Sequence, residues 1–168
     1  LVTVNIVFDG EEVSVTGDTD SLTITQEGGD LTINTAASGL KYIVSGQSED
    51  ACFKLYSEHK ACIVLNGVNL TNQQGPVINS QLKKRLFIEL AANTVNKLTD
   101  NTTYVKVKGE DQRGCIFAEG KLCISGSGQL FVNAHKKCGI ASDNYVHMMD
   151  GFIHINADAE KGKAVYGK

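Results

Sequence analysis

The chain has 168 residues, with 16 Lys and Arg against 19 Asp and Glu, a net charge of −3 and 42% hydrophobic residues. That length makes one domain, 1–168, able to bury a core without staples, and the mild acidity gives no electrostatic reason to expect nucleic acid. Seventeen Gly, one Pro and no Trp describe strands and turns rather than helices, and no apolar run approaches the ~20 residues of a membrane span.

The first elements are short and alternate polar with β-branched residues: "VTVNIVF" (2–8), "EVSVTG" (12–17), "SLTITQ" (21–26) and "DLTINTA" (30–36), separated by "DG", "GD" and "GGD" turns. A period of two broken by Gly and Asp predicts strands. "LKYIVSG" (40–46), "CFKLYS" (52–57), "CIVLNGVNLTN" (62–72), "KRLFIELAAN" (84–93) and "TYVKVKG" (103–109) continue the pattern. Only residues 83–98 tempt a helix, yet Leu86, Ile88 and Leu90 alternate, so a strand is expected there too. The chain begins at Leu1 rather than Met, so a processed precursor or a trimmed chain is expected.

Residues 114–157 read as one segment written twice. Ile116, Leu122, Ile124, Leu130 and Val132 align with Ile140, Val146, Met148, Ile153 and Ile155, at a shift of 24 that falls to 23. Ile78, Leu86 and Ile88 fit the same frame one repeat earlier. Such a period in a chain without helices leaves a parallel β-helix or an antiparallel sandwich, and only the former requires equivalent residues to stack. The expected fold is all-β: a single-stranded parallel β-helix, right-handed by the rule for parallel crossovers, with aliphatic rows at the ~4.8 Å strand spacing. Asn133 and Asn156 follow the last inward aliphatic of their repeats and are expected to form an asparagine ladder; two independent turn residues are the alternative.

Three motifs carry a family resemblance: "YIVSG" (42–46), "IVLNGVNLTNQQGPVIN" (63–79) and "IFAEGKLCISGSGQLFVNAHKKCGIAS" (116–142). With them the chain resembles bacterial carbohydrate-binding domains with a pectate-lyase-like right-handed β-helix, of the clostridial type that binds cellulose and acidic sugars. The resemblance covers about residues 40–165, while 1–39 match only in strand style. It implies a secreted or surface-anchored protein, extracellular, that binds polysaccharide such as polygalacturonate or cellulose, with calcium and without catalysis. After "IAS" and near the end, "DNYVHMMDG" and "DAEKGKAVYGK" depart from the family pattern.

Lyase chemistry needs a base, often Arg, beside a calcium held by acids; Arg85 and Arg113 have no Asp cluster near them in sequence, so no catalytic residue is assigned. In the repeat register Glu119 falls over Asp143, a pair that calcium would relieve, with Asn144, Asp158 or Glu160 as further ligands; two solvated carboxylates are the plainer alternative. His147 and His154 are expected to face outward. Carbohydrate-binding candidates are Tyr104, Phe131 and Tyr145 as aromatic surfaces, Asn72, Gln73 and Gln74 as amides, and Lys83, Lys84 and Arg85 as cations for an acidic sugar. For these too, edge-covering aromatics and a solvated "KKR" turn are alternatives. Five Cys include Cys115 and Cys138 at near-equivalent positions, where a disulfide is expected to be geometrically possible. Other readings are a structural or adhesive surface module that self-associates through open β-helix ends, and a degenerate polysaccharide lyase.

Overall fold

The computed structural model describes residues 1–168, and it is all-β: seventeen strands and no helix. The first strands are β1 (Val2–Asp9), β2 (Glu12–Gly17), β3 (Thr23–Glu27), β4 (Gly29–Thr35), β5 (Leu40–Ser48), β6 (Ala51–Ser57) and the long β7 (Ala61–Thr71). They are followed by β8 (Ile78–Ser80), β9 (Leu86–Leu90), β10 (Val95–Thr99), β11 (Gly114–Ala118), β12 (Leu122–Gly126) and β13 (Gln129–Ala134). The last four are β14 (Cys138–Ser142), β15 (Val146–Met148), β16 (Phe152–Ala157) and β17 (Val165–Gly167). The tempting segment 83–98 is thus two strands.

The strands form a ten-stranded and a seven-stranded sheet. The seven-stranded sheet runs β17-β14-β11-β8-β6-β4-β3. In the other, β7 is shared: its first half pairs with β9 and its second half with β10. Every ladder is parallel except two at the N-terminal end, β1 with β2 and β3 with β4.

The columns expected from the repeat are present. Ile78, Ile116 and Ile140 lie in register, as do Leu86, Leu122 and Val146, and Ile88, Ile124 and Met148. Leu130 lies opposite Ile153, and Val132 opposite Ile155. Because side chains alternate across a strand, a whole-repeat register turns the same aliphatics inward each time. Those up to Ile140 belong to a buried cluster of 32 residues, and Val146, Ile153 and Ile155 pack against it half-buried. Met148 departs from its column: it is 39% exposed, since β15 is the last strand of its sheet and no neighbour covers its outer side.

Glycine permits the bends between successive strand directions. Gly46 and Gly126 hold φ of +95° and +92°, and a Cβ would stand 2.0 Å from the Phe8 carbonyl oxygen or 2.2 Å from that of Leu90. Only a residue without a side chain fits either place.

Three expectations are corrected. Residues 103–109 are not a strand. Their alternation is real, but β8 and β11 pair directly with each other and leave no ladder position for them. Instead, residues 101–113 lie against the seven-stranded sheet: Glu110 accepts from Lys54 Nζ at 2.5 Å and from the Tyr56 hydroxyl, and the Asp111 carbonyl accepts from Gln81. Every residue of β11 is buried as a result. Second, Cys115 and Cys138 are free thiols, like the other three. Cys138 sits opposite Gly114, one residue out of register with Cys115, and strand alternation turns the two side chains apart. Third, Asn133 and Asn156 are in register, but their amides do not bond to each other; Asn133 donates weakly to Thr99 Oγ1 at 3.4 Å.

The amide that ties neighbouring strands together is Asn96 on β10, fully buried. Its Oδ1 accepts from Gly67 N at 2.8 Å and Val68 N at 3.1 Å on β7. Its Nδ2 donates to Thr94 Oγ1 and to the Gln129 carbonyl on β13, both at 3.0 Å. Asn96→Ala would orphan the buried Val68 N–H and remove the acceptor of the exposed Gly67 N–H, and should cost about 2 kcal/mol in urea unfolding, whereas Asn133→Ala should cost under about 1 kcal/mol.

Candidate functional site

One corner of the molecule collects cations by repetition. The first residues of successive strands are in register, Ala61 with Leu86, Leu86 with Leu122 and Leu122 with Val146. The residues immediately before them, Lys60, Arg85, Lys121 and Tyr145, therefore follow one another up the stack. Backbone bonds fix this order: Ala61 N to the Arg85 carbonyl at 3.2 Å, Leu86 N to that of Lys121 at 2.8 Å and Leu122 N to that of Tyr145 at 3.0 Å. The rise between neighbours is ~4.8 Å.

These side chains border a groove of about 570 Å³ lined by Ser38, Gly39, His59, Lys60, Lys83, Lys84, Arg85 and Lys121, without one carboxylate. Like charges this close repel one another, which makes the groove a site of positive potential on a net acidic chain. Arg85 is held in place. Its Nη2 donates to the Tyr145 hydroxyl at 2.6 Å, and its guanidinium lies 5.8 Å from the Phe87 ring centre and 6.0 Å from that of Tyr145. Lys121 Nζ lies 5.7 Å from the Tyr145 ring. The buried Arg85 Nε has no hydrogen-bond partner.

A carboxylate cluster stands at the same corner, two residues before Lys121 and Tyr145 in sequence. Asp111, Glu119 and Asp143 each place a ligand atom within 4.8 Å of the others. Arg113 lies among them, Nε 2.6 Å from Asp143 Oδ1 and Nη2 3.2 Å from Asp111 Oδ2. The Nε and Oδ1 are close but not aligned, and both are buried without a hydrogen bond. Burial and a hydrogen bond with Asp111 push the Asp143 carboxyl up to about 6, against the pull of Arg113. The same hydrogen bond holds Asp111 below the usual carboxylate range. Burial works to lower Arg113, but Asp143 and Asp111 outweigh it and leave the guanidinium above its ordinary value. Arg113, without an Asp cluster near it in sequence, thus meets one in space, assembled from three separate segments.

The structure sorts the sequence candidates. Tyr145, Lys83, Lys84 and Arg85 come together at the groove, and Glu119 meets Asp143. Asn144 instead accepts from Tyr145 N at 3.1 Å, Asp158 pairs with His135 Nδ1 at 2.9 Å, and Glu160 is exposed in a turn. Tyr104 is a brace, its hydroxyl donating to buried Asp100 at 2.5 Å. Asn72 is consumed by its own turn, donating to the Pro76 carbonyl and accepting from Gln74 N. Gln73 bonds to Glu49 and Asn101, and Gln74 is exposed beside it. Phe131 lies on a different face, with Phe152 and His154 each 5.9 Å from its ring centre. His147 and His154 are both exposed, as expected. Missed were His59, Lys60, Lys121 and Asp111. The signal for two of them was available: Lys60, Arg85 and Lys121 each precede the first inward aliphatic of a repeat.

A family model described as carbohydrate-binding domain-containing protein matches residues 4–168. A carbohydrate-binding domain-containing protein of Acetivibrio thermocellus is 31% identical over 160 residues, covering 93% of this chain and 54% of its own length, so the chain spans about half of that relative. Among solved structures, a polysaccharide lyase-like protein from C. thermocellum, determined as a gadolinium derivative, aligns with a TM-score of 0.80 at 30% identity, over 93% of this chain and 62% of the other. The motifs, the all-β architecture and these matches agree, and the chain belongs to the family of carbohydrate-binding domain-containing proteins.

Proposed function

We propose that the protein is a single-stranded, right-handed parallel β-helix that binds an acidic polysaccharide, of the polygalacturonate kind, at the basic corner, without catalysing its breakdown. The observation that carries this reading is the stack Lys60, Arg85, Lys121, Tyr145, with Lys83 and Lys84 beside it. A polyuronate presents one carboxylate per sugar along an extended chain. Cations repeated at ~4.8 Å meet such a chain with similar periodicity, and the Tyr145 ring, exposed by 37%, offers a flat apolar surface to a sugar face. The surroundings of Arg113 weigh against lyase chemistry. A general base must give up its proton near neutral pH, and a guanidinium raised by two flanking carboxylates is further from doing so than a free one. A secreted or surface location suits this ligand.

Calcium is the candidate ion for the carboxylate cluster because Asp111, Glu119 and Asp143 bring three hard oxygen donors within 4.8 Å of one another; Arg113 Nε, 2.6 Å from Asp143 Oδ1, must give way for that oxygen to coordinate. Asp111, Glu119 and Asp143 are the residues that would hold the ion, which would there neutralise the acidic side of the corner and accept a uronate oxygen.

A second reading concerns neutral chains such as cellulose. On the outer side of the ten-stranded sheet, Gln47, Asn69, Lys97, Phe131 and His154 lie in one register row, next to Phe152, 56% exposed. Exposed rings with amides alongside are the usual chemistry for stacking an uncharged sugar.

Affinity electrophoresis distinguishes these surfaces. Lys83→Glu with Lys84→Glu should weaken polygalacturonate binding on the order of tenfold or more and flatten its salt dependence, leaving cellulose retention unchanged; Phe152→Ala should do the reverse. Unaltered polygalacturonate affinity in the charge-reversed protein refutes the basic-corner reading. The calcium reading predicts a pH dependence. A carboxyl raised to about 6 destabilises the metal-free fold when ionised, a penalty present above about pH 6 and absent below about pH 4. The melting-temperature gain on adding millimolar calcium should therefore be larger at pH 8 than at pH 5, and Asp143→Asn should abolish it.

A further inference from the structure

The outer face of the seven-stranded sheet carries a cleft of about 230 Å³ that neither sugar surface described above includes. Alternation turns Leu31, Phe53 and Ile78 into the core, and their neighbours Thr32 of β4, Lys54 of β6 and Asn79 of β8 outward in one register row. These three, with Asp30 beside them, are the floor of the cleft. One wall is the 72–76 turn, and the other is the insertion, through Val105, Val107 and Gln112. The walls are bonded to each other. Val105 N donates to the Gln74 carbonyl at 2.8 Å, Gln112 Nε2 donates to the Val105 carbonyl at 3.1 Å, and Asn72 Nδ2 closes the turn on the Pro76 carbonyl at 2.7 Å.

Several polar groups in this space have bonding capacity left over. Asn79 is 3% exposed; its Oδ1 accepts from Gln81 Nε2 at 2.7 Å, while its Nδ2 donates to no protein group and remains accessible. Gln112, 9% exposed, spends its Nε2 on Val105 and leaves Oε1 without a donor. An amide this deeply buried is seldom left half-used unless something polar comes to it. Thr32 adds a half-buried hydroxyl, and Asp30 an exposed carboxylate at the edge. Lys54, the one cation in the lining, is already taken: Glu110 accepts from its Nζ at 2.5 Å. Facing these groups, Val105 and Val107 are 52% and 40% exposed, apolar surface that the fold leaves uncovered.

We propose that this cleft binds one uncharged sugar residue, its hydroxyls meeting Asp30, Thr32, Asn79 and Gln112 and its C–H surface lying on Val105 and Val107. A sugar hydroxyl both donates and accepts, so a free amide N–H, a free amide oxygen, a hydroxyl and a carboxylate can all be satisfied by one ring. The volume is below the ~300–1,000 Å³ of sites for larger ligands, which limits the occupant to a single residue, free or at a chain end. A uronate does not suit it. Its carboxylate would meet Asp30, whose own carboxyl is already pushed above its ordinary value by partial burial and by Asp50, with no unpaired cation to offset the repulsion. The cleft shares no residue with the basic corner or with the Phe131 row, so it stands or falls independently of both.

Saturation-transfer NMR on the full chain tests it, with the methyl glycosides of glucose, galactose, mannose and xylose as probes and free galacturonate as the charged control. At least one neutral glycoside should bind with millimolar affinity, and galacturonate should bind on the order of tenfold more weakly. Asp30→Ala and Val107→Asp, both at exposed positions, should each weaken the neutral glycoside on the order of tenfold, while Phe152→Ala and Lys83→Glu/Lys84→Glu leave it unchanged. The methyl resonances of Val105 and Val107 in the unaltered protein should shift on titration, a readout that needs no variant. The proposal is overturned if no neutral glycoside gives saturation transfer, if galacturonate binds as well as the best of them, or if the two valines do not shift. Binding that survives both Asp30→Ala and Val107→Asp, or that Phe152→Ala removes, overturns it equally.

Discussion

Parallel strands stacked in whole-repeat register are the constraint on which the rest depends. Each ladder from β7 onward sets aliphatic over aliphatic inside, Ile78–Ile116–Ile140 in one column and Ile88–Ile124 in another. A slip of one residue would turn every such side chain outward and bring polar neighbours into the core. Burial therefore fixes the register, and the register fixes what happens at the corners. Whatever residue precedes the first inward aliphatic is delivered to the same edge at every repeat. A cationic stripe requires only a charge at that position in three repeats, and Lys60, Arg85 and Lys121 supply it.

The same constraint explains what could be read in advance. Periodic aliphatics report directly on strand, register and column, because one face of every strand is buried and nothing else satisfies a shift of 24. Glu119 over Asp143 followed from that shift without further assumption. Elements that break the repeat were not legible. Residues 101–113 alternate like a strand, yet they are an insertion between β10 and β11 that packs against the sheet, so Asp111 reaches Glu119 and Asp143 from a segment the repeat does not describe. Arg113 arrives with it, which is why a search for acids near each arginine in sequence failed. Asn96 was missed for a different reason. The expected ladder was placed on recurring asparagines, whereas the amide with four hydrogen bonds recurs nowhere and works by bonding to the backbone of the strands on either side.

Charge is distributed along this frame rather than spread over it. The two antiparallel hairpins at the N-terminal end carry acids on exposed edge strands, where negative side chains also discourage unwanted pairing. The repeats that follow carry the cations. A modest net charge of −3 therefore conceals regions of opposite sign, and the proposed ligand class is argued from the basic corner, not from the total. The aromatic row with Phe131 and Phe152, which carries one lysine, Lys97, lies on a separate stretch of the sheet, so in the proposed readings acidic and neutral sugars would be met by different surfaces of one scaffold.

Lysine footprinting tests the central claim most directly: the protein is acetylated with and without saturating polygalacturonate, and the modified positions are read by mass spectrometry. The account predicts strong protection of Lys60, Lys83, Lys84 and Lys121, with Lys97 and Lys136 as reactive as in the free protein. Equal reactivity at the four corner lysines, or protection centred on Lys97, would contradict it.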